Sequence, residues 1–367
     1  MYEKELEAIQ KAGRWRKREI YPSDLLDFAS NDYLGFANDA KQMQKAYELM
    51  QSYNCYAPKA SMLVNGYHPI HQYFEETLCK LNRFEEAIVV GSGFLANISL
   101  IEALVRKKDR LFMDEEYHAS GILASRLLDA SQVIVFKHND PDDLQTKLER
   151  YKSPSRNIIA IEGVYSMRGD IAPKAIFDIA NQYEALLIVD EAHSSGVIGD
   201  NLLGIFDYYK LPIQSNYIKM GTLGKAYGSY GAYILASSEI ISFLENRAKP
   251  IIYSTAPSLF DTALALVNLK KLYTQKERFI AKIQKRQKLV QKILGLELHS
   301  LILPIAQSSN QQALQNKQHL IQKGYLVGAI RQPTVEKPIL RIIPRLGEAK
   351  THLKAMLEAI NTLKPKE

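Results

Sequence analysis

From Glu86 onward, short apolar runs alternate with amphipathic stretches. "EAIVVGSG", "DRLFMDE", "QVIVFKH", "NIIAIEGVYS", "ALLIVDEAH" and "NYIKMGTL" read as strands. Between them, "FLANISLIEALV", "HASGILASRLL", "PDDLQTKLERY" and "KAIFDIANQYE" carry apolar residues at helical spacing. Nearly continuous apolar strands separated by helices predict a mostly parallel sheet covered on both faces, an α/β fold. Ahead of this region lie a charged N-terminal helix, a short strand and turn at "LLDFASNDYLGF", a helix from Gln42 to Ser52, a loop at "APKASMLVNGYHP" and a helix at "IHQYFEETLCKLNRF". After it come a helix from about Pro257 and another from Gln275 to Leu294. Then follow "LILPIAQ", a helix, "YLVGAIR", "ILRIIPR" and a last helix from about Glu348, an α+β pattern. The expected division is an N-terminal segment over 1–37, a large α/β domain over 38–275 and a small α+β domain over 276–367. There is no internal repeat and no low-complexity linker.

The polar residues gather where strands end. "GSGF", "DEEYHAS", "EGVYSM", "DEAHSSG" and "GTLGK" each follow an apolar run. Ligands of open α/β sheets bind at the carboxyl ends of strands, so five such loops point to one site. Asp190 closes "LLIVD", where a carboxylate needs a partner; a salt bridge or a cap would do, and so would the ring N–H of a bound heterocycle. His193 stands three residues on, placed to reach a neighbouring oxygen of that ring. Ser92, Gly93 and Phe94 begin a helix, whose free N–H groups and dipole suit an anion, although a plain tight turn has the same sequence. His118, at another strand end, either stacks on an aromatic ligand or is structural.

Lys225 sits among glycines in "MGTLGKAYGSYGAYIL", just before a further apolar run. A phosphate-binding P-loop would need Ser or Thr after the lysine and a glycine five residues before Gly224. Ala226 and Lys219 stand there instead, so that motif fails. A lysine able to condense with an aldehyde, an aspartate for a ring nitrogen and a phosphate site together match pyridoxal 5'-phosphate.

Composition narrows the class. The chain has 367 residues, 46% hydrophobic and 24% charged, in keeping with a globular protein of about two domains. Two cysteines, Cys55 and Cys79, build no disulfide framework. The N-terminus lacks the apolar stretch of a signal peptide, and no run approaches the roughly 20 residues of a membrane helix. A cytoplasmic, soluble protein is expected. The net charge of +7 lies largely in "KAGRWRKRE" and "QKERFIAKIQKRQK". The second reads as an amphipathic helix with a solvated face, and no nucleic-acid-binding motif accompanies either.

"FASNDYLGF", "GSGFLAN", "IEGVYSMRGDIAP", "IVDEAHSSGVIG", "GTLGKAYGSYGAY", "IIYSTAPS" and "AIRQPTV" run in order along nearly the whole chain, and together they resemble the α-oxoamine synthases. These fold-type-I pyridoxal phosphate enzymes join an amino acid to an acyl thioester with loss of CO2. The resemblance implies that Lys225 bonds to the cofactor aldehyde, Asp190 to the pyridine nitrogen and His193 to the phenolic oxygen. His118 would stack on the ring and Ser166 bond near it, while Ser92, Gly93, Phe94 and Thr222 would hold the phosphate. Ser254 and Thr255 resemble residues that reach the neighbouring subunit's site, which implies a homodimer with shared sites. Asn31 and Arg341 match positions near the amino-acid substrate, and His118 touches it as well. Arg16 and Thr334 match acyl-substrate contacts, with Arg331 beside them in sequence. The pattern favours the biotin-pathway members, which use L-alanine and a pimeloyl thioester on acyl carrier protein or CoA, over members using glycine and acetyl-CoA. No metal, membrane or nucleic acid is implied. Two departures stand out: Met62 replaces an arginine of the family's glycine-rich stretch, and Arg168 stands where an acid is common.

Overall fold

The computed structural model describes residues 1–151 and 155–363. Residues 152–154 and 364–367, parts of the expected 38–275 and 276–367 domains, lie outside the described residues. The strands are β1 (Leu26–Asp27), β2 (Glu86–Val90), β3 (Arg110–Asp114), β4 (Val133–Phe136), β5 (Asn157–Glu162), β6 (Leu186–Asp190), β7 (Tyr217–Thr222), β8 (Ala232–Ala236), β9 (Leu303–Ala306), β10 (Tyr325–Leu326), β11 (Gly328–Ile330) and β12 (Ile339–Ile342). Contacts divide the chain into two compact units. One holds Met1–Tyr33, Met167–Gly169 and the residues from Ala281 onward; the other holds Leu34–Ser166 and Asp170–Ile280.

The larger unit is built on a seven-stranded sheet in the order β2-β8-β7-β6-β5-β3-β4. Only β8 runs against its neighbours β7 and β2; the other pairs are parallel. The carboxyl ends of β2, β3, β5, β6 and β7 therefore share one edge, as the strand-end loops require. Ile158, Ile188, Ile218 and Ile234, on four adjacent strands, are buried in one core with Leu100, Ile101 and Leu104 of the helix Gly93–Leu104. Burial on both faces explains why these strands read as unbroken apolar runs.

The smaller unit carries the antiparallel sheet β11-β12-β9 and the two-stranded parallel pair β1-β10. Phe28, Val290, Leu303, Leu320, Leu340, Leu353 and Leu357 are buried in its core. The first residues and the C-terminal ones belong to this one unit, since β1 pairs with β10.

Some elements differ from the expected pattern. The stretch expected as a loop contains a π-helical turn, Met62–Gly66. A Cβ at Gly66 would lie 2.1 Å from the Ala60 carbonyl oxygen, so only glycine closes that turn. Helices Ser238–Arg247 and Lys249–Ile252 are additional; the first is capped by the Ser237 side chain, which accepts from the Ile240 N–H.

An ionic clamp fixes the loops beyond β3, β4 and β5. His138 Nδ1 lies 3.0 Å from Asp114 Oδ1, and Nε2 lies 2.8 Å from Asp170 Oδ2. The ring stands edge-on to Tyr165, 4.3 Å between centroids. Burial disfavours the imidazolium, but hydrogen bonds and charge from both aspartates outweigh burial and push its pKa up to about 10. The folded value exceeds the ordinary 6.5, so the clamp contributes fully below that pH and is lost as pH rises through about 10. Replacing His138 with Gln leaves Asp114 buried beside a neutral group and should cost ~3 kcal/mol near neutral pH. Denaturant unfolding of both proteins across pH checks this: the gap should close above the pH at which His138 loses its proton.

Candidate active site

Lys225 lies in the connection from β7 to β8, half-buried. Its Nζ stands 2.7 Å from His193 Nε2. The small residues around it have a steric cause. Gly228 has φ +56, and a Cβ there would lie 2.5 Å from Phe36 Cβ, so the turn that carries the lysine admits no larger side chain.

Asp190, at the end of β6, is only 4% exposed. Its Oδ2 accepts from Asn97 Nδ2 at 2.9 Å and its Oδ1 from the Ala192 N–H at 2.9 Å. Asn97 is held in turn. The Tyr117 hydroxyl donates to its Oδ1 at 2.6 Å, and its amide also reaches Ser120 Oγ at 2.9 Å. Ser120 Oγ lies 2.6 Å from His118 Nδ1, and His118 caps the helix Ala119–Ser125. Burial lowers the His118 pKa, opposed by Asp190 and aided by Lys225, so its ring is neutral near pH 7. One connected network thus runs from Tyr117 and His118 through Asn97 to Asp190. Sequence reading missed Asn97, although "GFLAN" places it one helical turn beyond Gly93, on the path to the sheet edge.

Ser92 caps the helix Gly93–Leu104, its side chain accepting from the Leu95 N–H. The first-turn N–H groups of Gly93 and Phe94 have no acceptor within the helix. A Cβ on Gly93 would lie 3.8 Å from Thr222 Cβ, so the helix start and the end of β7 face each other closely. Thr222 Oγ1 donates to the Gly231 carbonyl at 3.1 Å. Ser166, 8% exposed, donates its N–H to Glu162 Oε2 at 3.0 Å. Ser254 and Thr255 occupy a different stretch, after the helix Lys249–Ile252, where the Ala256 N–H donates to the Ala60 carbonyl. Thr255 is exposed there.

The donor set fits pyridoxal phosphate. Paired first-turn N–H groups beside two hydroxyls suit a dianion, a buried carboxylate suits a ring N–H, and an amine beside an imidazole suits an aldehyde.

In the smaller unit, Arg341 Nη1 donates to Asn31 Oδ1 at 2.9 Å. Arg16 Nη2 donates to Thr334 Oγ1 at 2.9 Å. Arg331 donates to the carbonyls of Gly13 (2.6 Å) and Trp15 (3.1 Å), bracing the chain that carries Arg16. Arg14, Arg16, Arg331 and Thr334 line one cavity of about 270 Å³. The three expected acyl-side residues are therefore together, and Arg14 joins them.

Asn97→Ala strands Asp190 Oδ2 and the Tyr117 hydroxyl in a buried place. The expected cost is ~2 kcal/mol of stability and a roughly tenfold weaker hold on pyridoxal phosphate. Thermal unfolding of the apoprotein and absorbance titration with the cofactor measure the two separately; unchanged affinity would mean that Asn97 does not orient Asp190.

Residues 23–360 match the aminotransferase class I and II family. The chain is 45% identical over 361 residues to the 8-amino-7-oxononanoate synthase of Helicobacter pylori strain J99, covering 98% of this chain and 96% of that protein. With the enzyme of strain 26695 the identity is 47% over 366 residues, covering 99% and 96%. Among solved structures, the 8-amino-7-oxononanoate synthase of Francisella tularensis superposes with a TM-score of 0.77 at 28% identity, covering 93% of this chain and 98% of that one. A serine palmitoyltransferase of S. paucimobilis with bound PLP reaches a TM-score of 0.88 at 23% identity, covering 98% and 96%, a likeness of fold. Together with a site whose lysine, aspartate and helix start suit the same cofactor, these matches establish that the chain belongs to the aminotransferase class I and II family and, within it, to the pyridoxal phosphate-dependent 8-amino-7-oxononanoate synthases.

Proposed function

We propose that the protein condenses L-alanine with a pimeloyl thioester, on CoA or acyl carrier protein, giving 8-amino-7-oxononanoate, CO2 and the free carrier thiol. The observation that carries this reading is the lysine–histidine–aspartate set at the carboxyl edge of the sheet, in a chain so similar to enzymes of that name. When bound, pyridoxal phosphate supplies an electron sink for the carbanion at the amino-acid α-carbon.

The chain's own groups do the rest. Gly93 and Phe94 N–H groups, with Ser92 and Thr222, would hold the phosphate, and Asp190, with a donor on each oxygen, would hold the ring N–H. His118, neutral, would cover the ring face, while His193 and Ser166 would bond at its edge. Lys225 would hold the cofactor through its aldehyde, and its freed amine would take the alanine α-proton. Overall, the alanine α-carbon gains a bond to the acyl carbonyl as the carrier leaves as a thiol, the alanine carboxyl departs as CO2, and a proton returns to the α-carbon. Arg341, held by Asn31, binds that carboxylate beforehand; an arginine fork suits it. Arg16 with Thr334, braced by Arg331, takes the acyl donor, whose distal carboxylate or carrier phosphates suit the arginine-lined cavity. A cytoplasmic location fits this chemistry.

A panel of amino acids and acyl thioesters, with CO2 release and product mass as readouts, tests the reading. Alanine with the pimeloyl donor should be the preferred pair, and Arg16→Ala should raise KM for the thioester roughly tenfold while leaving alanine binding unchanged. Borohydride reduction should fix the pyridoxyl group on Lys225. Release of CO2 only with glycine and acetyl-CoA would overturn the substrate assignment.

A homodimer with shared sites belongs to the same proposal. Tyr253 is 80% exposed beside Ser254 and Thr255, and Tyr53, Tyr56, Leu63, Val64 and Tyr67 of the same unit are exposed too, an apolar surface that a second copy would cover. Mixing Lys225→Ala with Thr255→Ala should restore up to about a quarter of the activity if the two residues serve one site from different chains. No recovery after proven subunit exchange would refute the sharing.

A further inference from the structure

Glu162 ends β5 directly across from the end of β6, in register with Asp190. It is 1% exposed. Its Oε2 accepts the Ser166 N–H at 3.0 Å, while its Oε1 has no hydrogen-bond partner among the described residues. Two carboxyl groups thus lie side by side in a place nearly without water. Among the described residues, Asp190 has a donor on each oxygen and Glu162 has a single donor. Adjacent buried carboxyls do not both ionise, and the negative charge stays on the one with more donors.

We propose that Glu162 carries a proton on Oε1 in the resting enzyme and is a positioning residue of the reaction centre, confining the negative charge to Asp190 and anchoring Ser166. This rests on the function proposed above. The charged and titratable surroundings agree. Burial pushes the Glu162 pKa well up, Asp190 and Asp114 push in the same direction, and Lys225 opposes them. Tyr117 and Tyr165, the other acidic groups close by, are buried with their own values raised, so both stay neutral. A neutral Glu162 leaves Asp190 as the only carboxylate of the pair, the form that keeps a pyridine ring nitrogen protonated. It also leaves a buried O–H donor within electrostatic reach of Lys225, where the cofactor and amino acid meet.

Glu162→Gln is the discriminating variant, because an amide copies the protonated acid and keeps an oxygen for the Ser166 N–H. The first readout needs no cofactor. A folded-state pKa above the ordinary 4.5 gives stability that is present below that value and lost as pH rises. The folding equilibrium constant of wild-type apoprotein, relative to Glu162→Gln, should therefore fall roughly tenfold per pH unit from about pH 5 upward. A ratio independent of pH from about 5 to 8 would overturn the proposal. The second readout is kinetic: Glu162→Gln should retain kcat/KM within about threefold, while Glu162→Ala, which orphans the Ser166 N–H, should lose roughly tenfold or more. A Gln variant as poor as the Ala variant would show that the ionised carboxylate is needed, and the proposal would fail. Should Glu162→Gln not fold, carbon NMR of wild-type apoprotein labelled at glutamate carboxyls answers directly at about pH 8, where Glu75, whose own value is pushed up only to about 7, has largely ionised. One glutamate still protonated supports the proposal, and none overturns it. If the wild type releases no CO2 from alanine and the pimeloyl donor, the functional reading fails, while the folding and NMR measurements still decide the state of Glu162.

Discussion

Asp190 closes β6 with a negative charge that is almost wholly out of water, and a charge so placed costs several kcal/mol unless donors meet it. The Ala192 N–H and the Asn97 amide meet it, and much of the reaction centre is arranged to keep the second of these in place. Asn97 comes from the helix Gly93–Leu104, whose first-turn N–H groups lack an acceptor within the helix. Holding Asp190 and presenting that helix start are thus one structural act. Tyr117, Ser120 and His118 complete the same network, so a shift of the helix would disturb the donors of Asp190 and the setting of the His118 ring together.

Parallel pairing turns this local arrangement into a site. Because β5, β6 and β7 run the same way, Glu162, Asp190 and Thr222 arrive at one edge. β8 turns back after β7, so the connection holding Lys225 must curl over that edge. The loops beyond β3, β4 and β5 would be free to wander there. His138 ties them down between two aspartates, with Tyr165 packed on its ring. Tyr165, packed on that ring, directly precedes Ser166 in the chain.

The smaller unit solves a different problem. Three of its arginines have neutral hydrogen-bond partners: Arg341 has Asn31, Arg16 has Thr334 and Arg331 has backbone carbonyls. The basic N-terminal stretch is part of the same cluster. Arg331 braces its backbone, and Arg14 and Arg16 line the same cavity.

The sequence alone determined the α/β class, the succession of strands and the strand-end loops, because apolar runs of strand length can bury both faces only in a parallel sheet with helices outside. It also marked Lys225, Asp190, His193 and the helix start at Gly93, since each sits at a strand end where its residue type is out of place without a ligand. Tertiary structure decided what spacing cannot express. Asn97 and Asp190 are 93 residues apart and meet only once the helix packs on the sheet. The π-turn at Met62–Gly66 depends on the close approach of Gly66 to Ala60, and the arginine cavity on the meeting of residues near 15 and 331. Glu162 reads in sequence as one more acid after an apolar run; only its register with Asp190 and its orphaned oxygen give it a chemical state. Periodicity reports which face of an element is buried, whereas the charge on a buried group depends on the atoms that close around it.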